Sequence, residues 1–200
     1  MSIKAEKDYD KIIVECKQLF LNKLSDYGPS WILFRLPSLT DQILIKAKRI
    51  RRLEELKGES MIPESIDVEY RGILNYCVMA LIKLWFSEKI PSSDSFLAGN
   101  IEVNPSILEN LYDQVVKRTK ELMYRKNHDY GEAWKEMRIT SITDQILVKI
   151  YRIKTIEENK RRLLTSEDID AQYSDILNYC VFALIKLRTQ GHCENEEKNH

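Results

Sequence analysis

The sequence has no surplus of charge of either sign: 31 Lys and Arg stand against 31 Asp and Glu. That balance excludes a broad basic surface, and with it generic coating of nucleic acid. The four cysteines (Cys16, Cys77, Cys180 and Cys193) form no C-x-x-C pair, and a reduced, cytoplasmic compartment fits this usage. No apolar run approaches the ~18 residues of a membrane span, and a signal peptide is not expected. Six Gly and five Pro leave little room for a loop-rich fold. The chain also lacks a Gly-rich phosphate loop, an H-E-x-x-H pair and a serine nucleophile elbow. What it does have is 44% hydrophobic and 31% charged residues, enough for a sizeable core in one or two soluble domains.

The chain is written twice. Residues 9–84 align without a gap to 112–187, at the constant spacing that separates Asp26 from Asp129. Asp26, Tyr27 and Gly28 return as Asp129, Tyr130 and Gly131, and Trp31 returns as Trp134. The run T-D-Q-I-L-x-K-x-x-R-I occupies 40–50 and 143–153, and I-L-N-Y-C-V-x-A-L-I-K-L occupies 73–84 and 176–187. A tandem duplication predicts two similar units packed face to face with pseudo-twofold symmetry. The expected organisation is unit 1 over 1–87, a Pro/Ser/Gly linker over 88–104, unit 2 over 105–189 and a polar tail over 190–200, frayed after Thr189.

Each unit reads as three long helices and a short segment, so the expected fold class is all-α. Ile12, Ile13, Cys16, Leu19, Phe20 and Leu24 keep a 3.6-residue period over about 6–24, and Gly28 is a plausible left-handed stop. A short segment around Trp31 and Phe34 follows. The second helix spans about 39–56, with Ser38 and Ser141 opening apparent capping boxes and Asp41 and Asp144 read as caps. The third begins near Pro63. In unit 2 this last helix carries one apolar stripe through Tyr173, Ile176, Leu177, Cys180 and Leu184. Its other side holds Asp175, Asn178, Phe182 and Ile185, which predicts a helix covered on both sides with Asp175 and Asn178 partly buried. Unit 1 has Gly72 where unit 2 has Asp175. A mid-helix glycine costs about 1 kcal/mol relative to alanine, so a close approach there is expected. The Gly72 and Asp175 faces are expected to meet at the pseudo-twofold axis.

Three groups of residues could carry chemistry. The first is Lys126, Asn127, His128, Asp129, Tyr130 and Gly131, followed by Trp134. A lysine, histidine and acid beside two aromatics at a helix end could hold phosphate and base. Equally, Gly ends the helix, Tyr and Trp pack, and Asp bonds nearby backbone. The second is Gln145, Lys149 and Arg152, mirrored by Gln42, Lys46 and Arg49. Their spacing sets two cations on one flank, suited to a phosphate chain or simply to covering core edges with long stems. The third is Glu167, Asp170 and Asp175, against Glu64, Asp67 and Gly72. Carboxylates facing another helix can hold Mg²⁺. Glu167 and Asp170 also suit a helix first turn, whereas mid-helix Asp175 has no such explanation. Cys77 and Cys180 read as core residues.

These motifs resemble the nucleotide-modification-associated domain, type one, a small all-α domain of bacterial and phage proteins with no settled activity. The resemblance rests on K-N-H-D-Y-G at 126–131, on Lys149 with Arg152, and on the stretch from Glu167 to D-I-L-N-Y at 175–179. Unit 1 shares D-Y-G, the Lys46 and Arg49 pair and I-L-N-Y-C-V, so the two matches cover most of the chain. In outline the domain is also similar to the all-α NTP pyrophosphatases of the MazG and dimeric dUTPase group, which hold Mg²⁺ on E-E-x-x-E and E-x-x-D helices. Asp175 with its following apolar run resembles the second motif. Gln172 stands where that motif has Glu, Gly72 replaces the Asp in unit 1, and Lys149 and Arg152 occupy the helix where E-E-x-x-E would lie.

The resemblance implies a nucleotide-directed protein. The expected activity is Mg²⁺-dependent (deoxy)nucleoside triphosphate pyrophosphohydrolysis, with Asp175 and Glu167 as metal-binding catalytic residues. Lys126, His128, Asp129, Tyr130, Trp134, Lys149, Arg152 and Asn178 would bind substrate. The alternatives are a non-catalytic nucleotide sensor or adaptor, and a purely structural helical module. The expected partner is a nucleotide or nucleoside triphosphate. Neither bulk nucleic acid nor a membrane is expected, and a homodimer is a possible assembly.

Overall fold

In the computed structural model, residues 2–56, 65–99, 103–159 and 168–197 are described, without the side chains of Tyr130 and of 191–197. Unit 1 is built from α1 (Ile3–Tyr27), α2 (Leu36–Glu55) and α3 (Ile66–Trp85). Unit 2 repeats them as α5 (Pro105–Tyr130), α6 (Ile139–Glu158) and α7 (Ile169–Glu197). A short α4 (Ser93–Leu97) lies between the units. No strand occurs among the described residues, and none of their helices is long and apolar enough to cross a membrane.

The 3.6-residue apolar period decides which faces turn inward. On α1 the stripe Tyr9, Ile12, Cys16, Phe20 and Leu24 is buried, and on α2 Leu39, Ile43, Ala47 and Ile50. The α3 and α7 helices are buried on both sides, as their doubly apolar patterns require, and they pack on each other in the middle of the bundle. Residues of both units form one continuous core. Cys77 and Cys180 sit inside it, and burial pushes the neighbouring Cys16 thiol up to about 12, so none of these thiols is an available nucleophile.

The duplication is visible as exchanged contacts. Tyr9 donates to Asn178 Oδ1 (2.8 Å), and its counterpart Tyr112 donates to Asn75 Oδ1 (2.9 Å). Tyr173 meets Thr40, and Tyr70 meets Thr143, both at 2.7 Å. Each threonine also donates to a carboxylate of the opposite unit: Thr40 to Glu157 (2.9 Å) and Thr143 to Glu54 (2.6 Å). Nearer the surface, Lys17 pairs with Asp113 (2.8 Å) and Lys120 with Asp10 (2.5 Å). Every pair has its partner under the same repeat spacing, which is the signature of a pseudo-twofold interface. An unsatisfied buried hydroxyl costs about 1–3 kcal/mol, so these pairings fix how the two copies meet.

Several local expectations change. The α2 helix starts at Leu36 and α6 at Ile139, before the serines read as caps. Ser38 N–H already bonds Arg35 O (3.0 Å) and Ile142 N–H bonds Arg138 O (3.1 Å), so the capping boxes lie inside the helices. Asp41 and Asp144 are consequently not caps; they pair across the interface with Lys154 (2.7 Å) and Arg51 (3.7 Å). The linker is not featureless, because α4 packs on the Ser30–Leu33 turn, where Ser93 donates to Ile32 O (3.2 Å). The α7 helix continues past Thr189 to Glu197. The expected helix start at Pro63 lies outside the described residues.

Candidate functional site

The α5 helix ends at Gly131, whose φ of +58° is left-handed and whose N–H bonds Asn127 O (3.0 Å). Glu132 keeps a positive φ (+61°), and this double left-handed step turns the chain into the short helical turn Ala133–Lys135. Trp134 is carried on that turn and is 6% exposed. Lys186 of α7 holds the turn by donating to Lys135 O (2.6 Å), as Lys83 holds the equivalent turn through Ile32 O (2.7 Å).

Beneath Trp134 lies a cavity of about 410 Å³ bounded by α5, α6 and α7. Its polar centre is a carboxylate between two ammonium groups. Lys126 Nζ from α5 is 2.5 Å from Asp175 Oδ1, and Lys149 Nζ from α6 is 2.7 Å from Oδ2. Lys149 and Asp175 are 12% and 15% exposed, so this charge triad is largely removed from water, with Lys126 at the more open edge. The triad carries one net positive charge. The apolar wall is aromatic: Trp134 and Phe182 stack with centroids 4.4 Å apart and planes 5° from parallel, and Tyr179 meets Phe182 edge-on. Burial, with a further push from Asp175, raises the Tyr179 phenol above its ordinary range while Arg152 opposes the rise, so the phenol stays neutral at pH 7.

Of the residues anticipated from sequence, the fold brings Lys126, Trp134, Lys149, Asp175 and Asn178 to this cavity. Asn178 lines it, but its amide is used by the fold: Oδ1 accepts from Tyr9, and Nδ2 donates to Thr119 O (3.3 Å). His128 and Asp129 pair with each other (3.2 Å) at the helix end, 90% and 77% exposed, and do not line the cavity. Arg152 lines a different, more open groove of about 1030 Å³ with Lys48, Arg51, Asp144 and Tyr151. That groove is larger, yet its Arg51 and Asp144 are paired across the units, whereas the smaller cavity gathers buried charge and stacked rings. The Tyr130 side chain and Glu167 lie outside the described residues. Asn127, from the same motif as Lys126, also lines the smaller cavity, and Phe182, Tyr179, Met123, Met137 and Ala133 complete the lining. The spacing of 175, 178, 179 and 182 on one helix face was the sequence signal that could have found the two aromatics.

Of the expected Mg²⁺ pair, Asp175 alone falls among the described residues. Among the described residues Asp175 is the one carboxylate lining the cavity, and both its oxygens are bonded to lysine. Asp170 accepts instead from Trp85 Nε1 (2.8 Å). Among the described residues no group of three or more His, Cys, Asp or Glu could hold a metal ion. A divalent cation at Asp175 would have to displace two ammonium groups.

Unit 1 has the counterpart cavity at about 160 Å³, lined by Lys23, Trp31, Phe34, Lys46, Gly72 and Tyr76 among others. Here Lys46 lies across Gly72: a Cβ built on that glycine would be 2.8 Å from Lys46 Cε. Its ammonium bonds Glu69 Oε2 (3.0 Å), and Glu69 also accepts from Arg49. Unit 2 has Gln172 at the Glu69 position. The Gly72 and Asp175 positions therefore do not meet at the pseudo-axis; each faces a lysine of its own unit, in a separate cavity.

The model of the family described as nucleotide modification associated domain 1 matches residues 23–84 and again 126–187, and the chain belongs to that family. The two matched stretches begin at Lys23 and Lys126, so each takes in most of the lining of one of the two cavities. No curated protein and no solved structure matches the chain, and the outline similarity to the all-α NTP pyrophosphatases finds no support there.

Proposed function

We propose that this member of the nucleotide modification associated domain 1 family binds a nucleotide in the unit 2 cavity. Phosphate oxygens are received by Lys126 and Lys149, and the base lies against the aromatic wall of Trp134, Phe182 and Tyr179. The observation that carries this reading is the lysine–aspartate–lysine triad inside a cavity whose other wall is a stack of rings. Its volume of about 410 Å³ falls within the ~300–1,000 Å³ of small-molecule sites. Asp175 holds both ammonium groups in place before a ligand arrives. A phosphate bearing two negative charges outcompetes one carboxylate for the pair, because charge-assisted contacts strengthen with charge and burial.

Binding is the function supported here. Mg²⁺-dependent pyrophosphohydrolysis would need carboxylates that the described residues do not bring to this cavity. The test is a titration of the four dNTPs, the four NTPs and their monophosphates, with and without Mg²⁺, followed by calorimetry and by release of phosphate or pyrophosphate. Metal-independent binding without turnover is the expected result. Turnover that depends on Mg²⁺ and is lost in Asp175→Asn would replace this reading with the hydrolase, and no binding of any nucleotide would end it.

A further inference from the structure

The two cavities share their scaffold and differ at their floor. In unit 2, Asp175 stands off the helix and holds Lys149 across the cavity. In unit 1 the same helix position is Gly72, and Lys46, the counterpart of Lys149, has collapsed onto the bare backbone there. One turn earlier Glu69, 3% exposed, binds the Lys46 ammonium and receives Arg49 as well. The collapse coincides with a volume of about 160 Å³ against about 410 Å³. The smaller value is below the range of sites that enclose a nucleotide-sized ligand. Much of the constellation is still present: Lys23 matches Lys126, Trp31 matches Trp134, and Tyr76 matches Tyr179, while Met79 takes the place of Phe182. The Trp31 and Trp134 indole N–H groups, at equivalent positions, are both buried without a hydrogen-bond partner.

We infer that the unit 1 cavity is a second nucleotide site held shut by a Lys46 latch, and that Glu69 and Gly72 are the two residues that shut it. The inference rests on the nucleotide reading of unit 2. Its chemistry is competition for one ammonium. Glu69 neutralises Lys46 against the helix, and Gly72 gives the lysine stem the space to lie there. A carboxylate at position 72 and an amide at 69 reproduce the Asp175 and Gln172 arrangement. An added Cβ meets only the far end of the flexible Lys46 side chain, which can move aside. The chain therefore takes one nucleotide although it carries two copies of the fold.

The test uses two independent readouts on the full chain. The first is the calorimetric stoichiometry of the tightest dNTP, for wild type, for the pair Glu69→Gln with Gly72→Asp, and for that pair combined with Lys149→Ala. The expected values are one, two and one equivalents. The second needs no nucleotide: mass-spectrometric labelling of Lys46 by an amine-acylating reagent, in wild type and in Glu69→Gln alone. A several-fold rise in labelling is expected when the latch loses its carboxylate, with Lys126 labelling unchanged. A paired variant that stays at one equivalent overturns the inference, and so does Lys46 labelling that does not rise. A wild type that binds no nucleotide ends the functional reading of unit 2, and the latch then stands or falls on the labelling.

Discussion

The two units make the same fold with two different floors, and the comparison separates residues that hold the bundle from residues that shape a site. Asn75 and Asn178 do the same job: each receives a tyrosine hydroxyl from the opposite unit and donates to a carbonyl of its own first helix. Tyr70 and Tyr173 likewise reach threonines of the opposite unit in matching geometry. Among the positions that differ, Gly72 against Asp175 and Met79 against Phe182 line the two cavities, and Glu69 against Gln172 lies one turn before the first of them. The shared residues build the bundle and both cavities, and the departures at the floor set how open each cavity is.

The largest expected effects probe the shared positions. Asn178→Ala leaves the Tyr9 hydroxyl and the Thr119 carbonyl without their partner inside the core, and about 2–4 kcal/mol of stability should be lost. Asn75→Ala should lose a similar amount through Tyr112 and Cys16 O. Urea unfolding measures both, and a cost confined to one of them breaks the symmetry of the comparison. Next in size, Lys149→Ala should weaken nucleotide binding about 10–100-fold, since a charge-assisted contact contributes ~1.5–3 kcal/mol. Lys46→Ala should leave binding unchanged; parallel calorimetry checks the pair. Tyr70→Phe and Tyr173→Phe should each cost about 1 kcal/mol, read from the same unfolding curves.

A pH effect comes from Glu54, which burial raises above its ordinary value of 4.5 against the opposing Thr143 hydrogen bond. Its proton is held more tightly in the folded state, so its contribution to stability is complete below about 4.5 and is lost as pH rises through the folded value. Glu54→Gln should therefore gain on wild type as pH increases above that point, and unfolding curves from pH 4 to 7 should show the gap opening. The smallest effect belongs to the outer pairs. Lys17→Ala and Lys120→Ala should each cost about 0.5 kcal/mol or less and lose that difference at high salt.

Much of this was legible in the sequence, for identifiable reasons. Helices with an apolar face announce themselves by period, and the constant spacing of the repeats implied the pseudo-twofold before any contact was known. Helix starts were misplaced because a serine three residues before an acid resembles a cap wherever it falls; here Arg35 and Arg138 precede the first turns instead. Lys126, Lys149, Asp175 and Trp134 were each legible as candidates, but their convergence was not, since they come from three helices and a turn. His128 and Asp129 share the Lys126 motif yet face solvent, because a helix end splays neighbouring side chains in different directions. Asn178 had the character of a ligand-binding residue, and only the structure shows its amide consumed by the interface. The role of Gly72 could not be read from sequence, because what fills the space above it is the side chain of a distant lysine.

The central claim is that the chain offers one nucleotide site, in unit 2, where Asp175 holds open a set of lysines and aromatics that unit 1 largely shares. Its most direct test is a single calorimetric titration of the dNTP panel into wild type, Lys46→Ala and Lys149→Ala, with folding checked by thermal unfolding. The account expects one equivalent bound by wild type and by Lys46→Ala with equal affinity, and binding weakened about 10–100-fold in Lys149→Ala. Two equivalents in wild type, or equal loss in both variants, would contradict it.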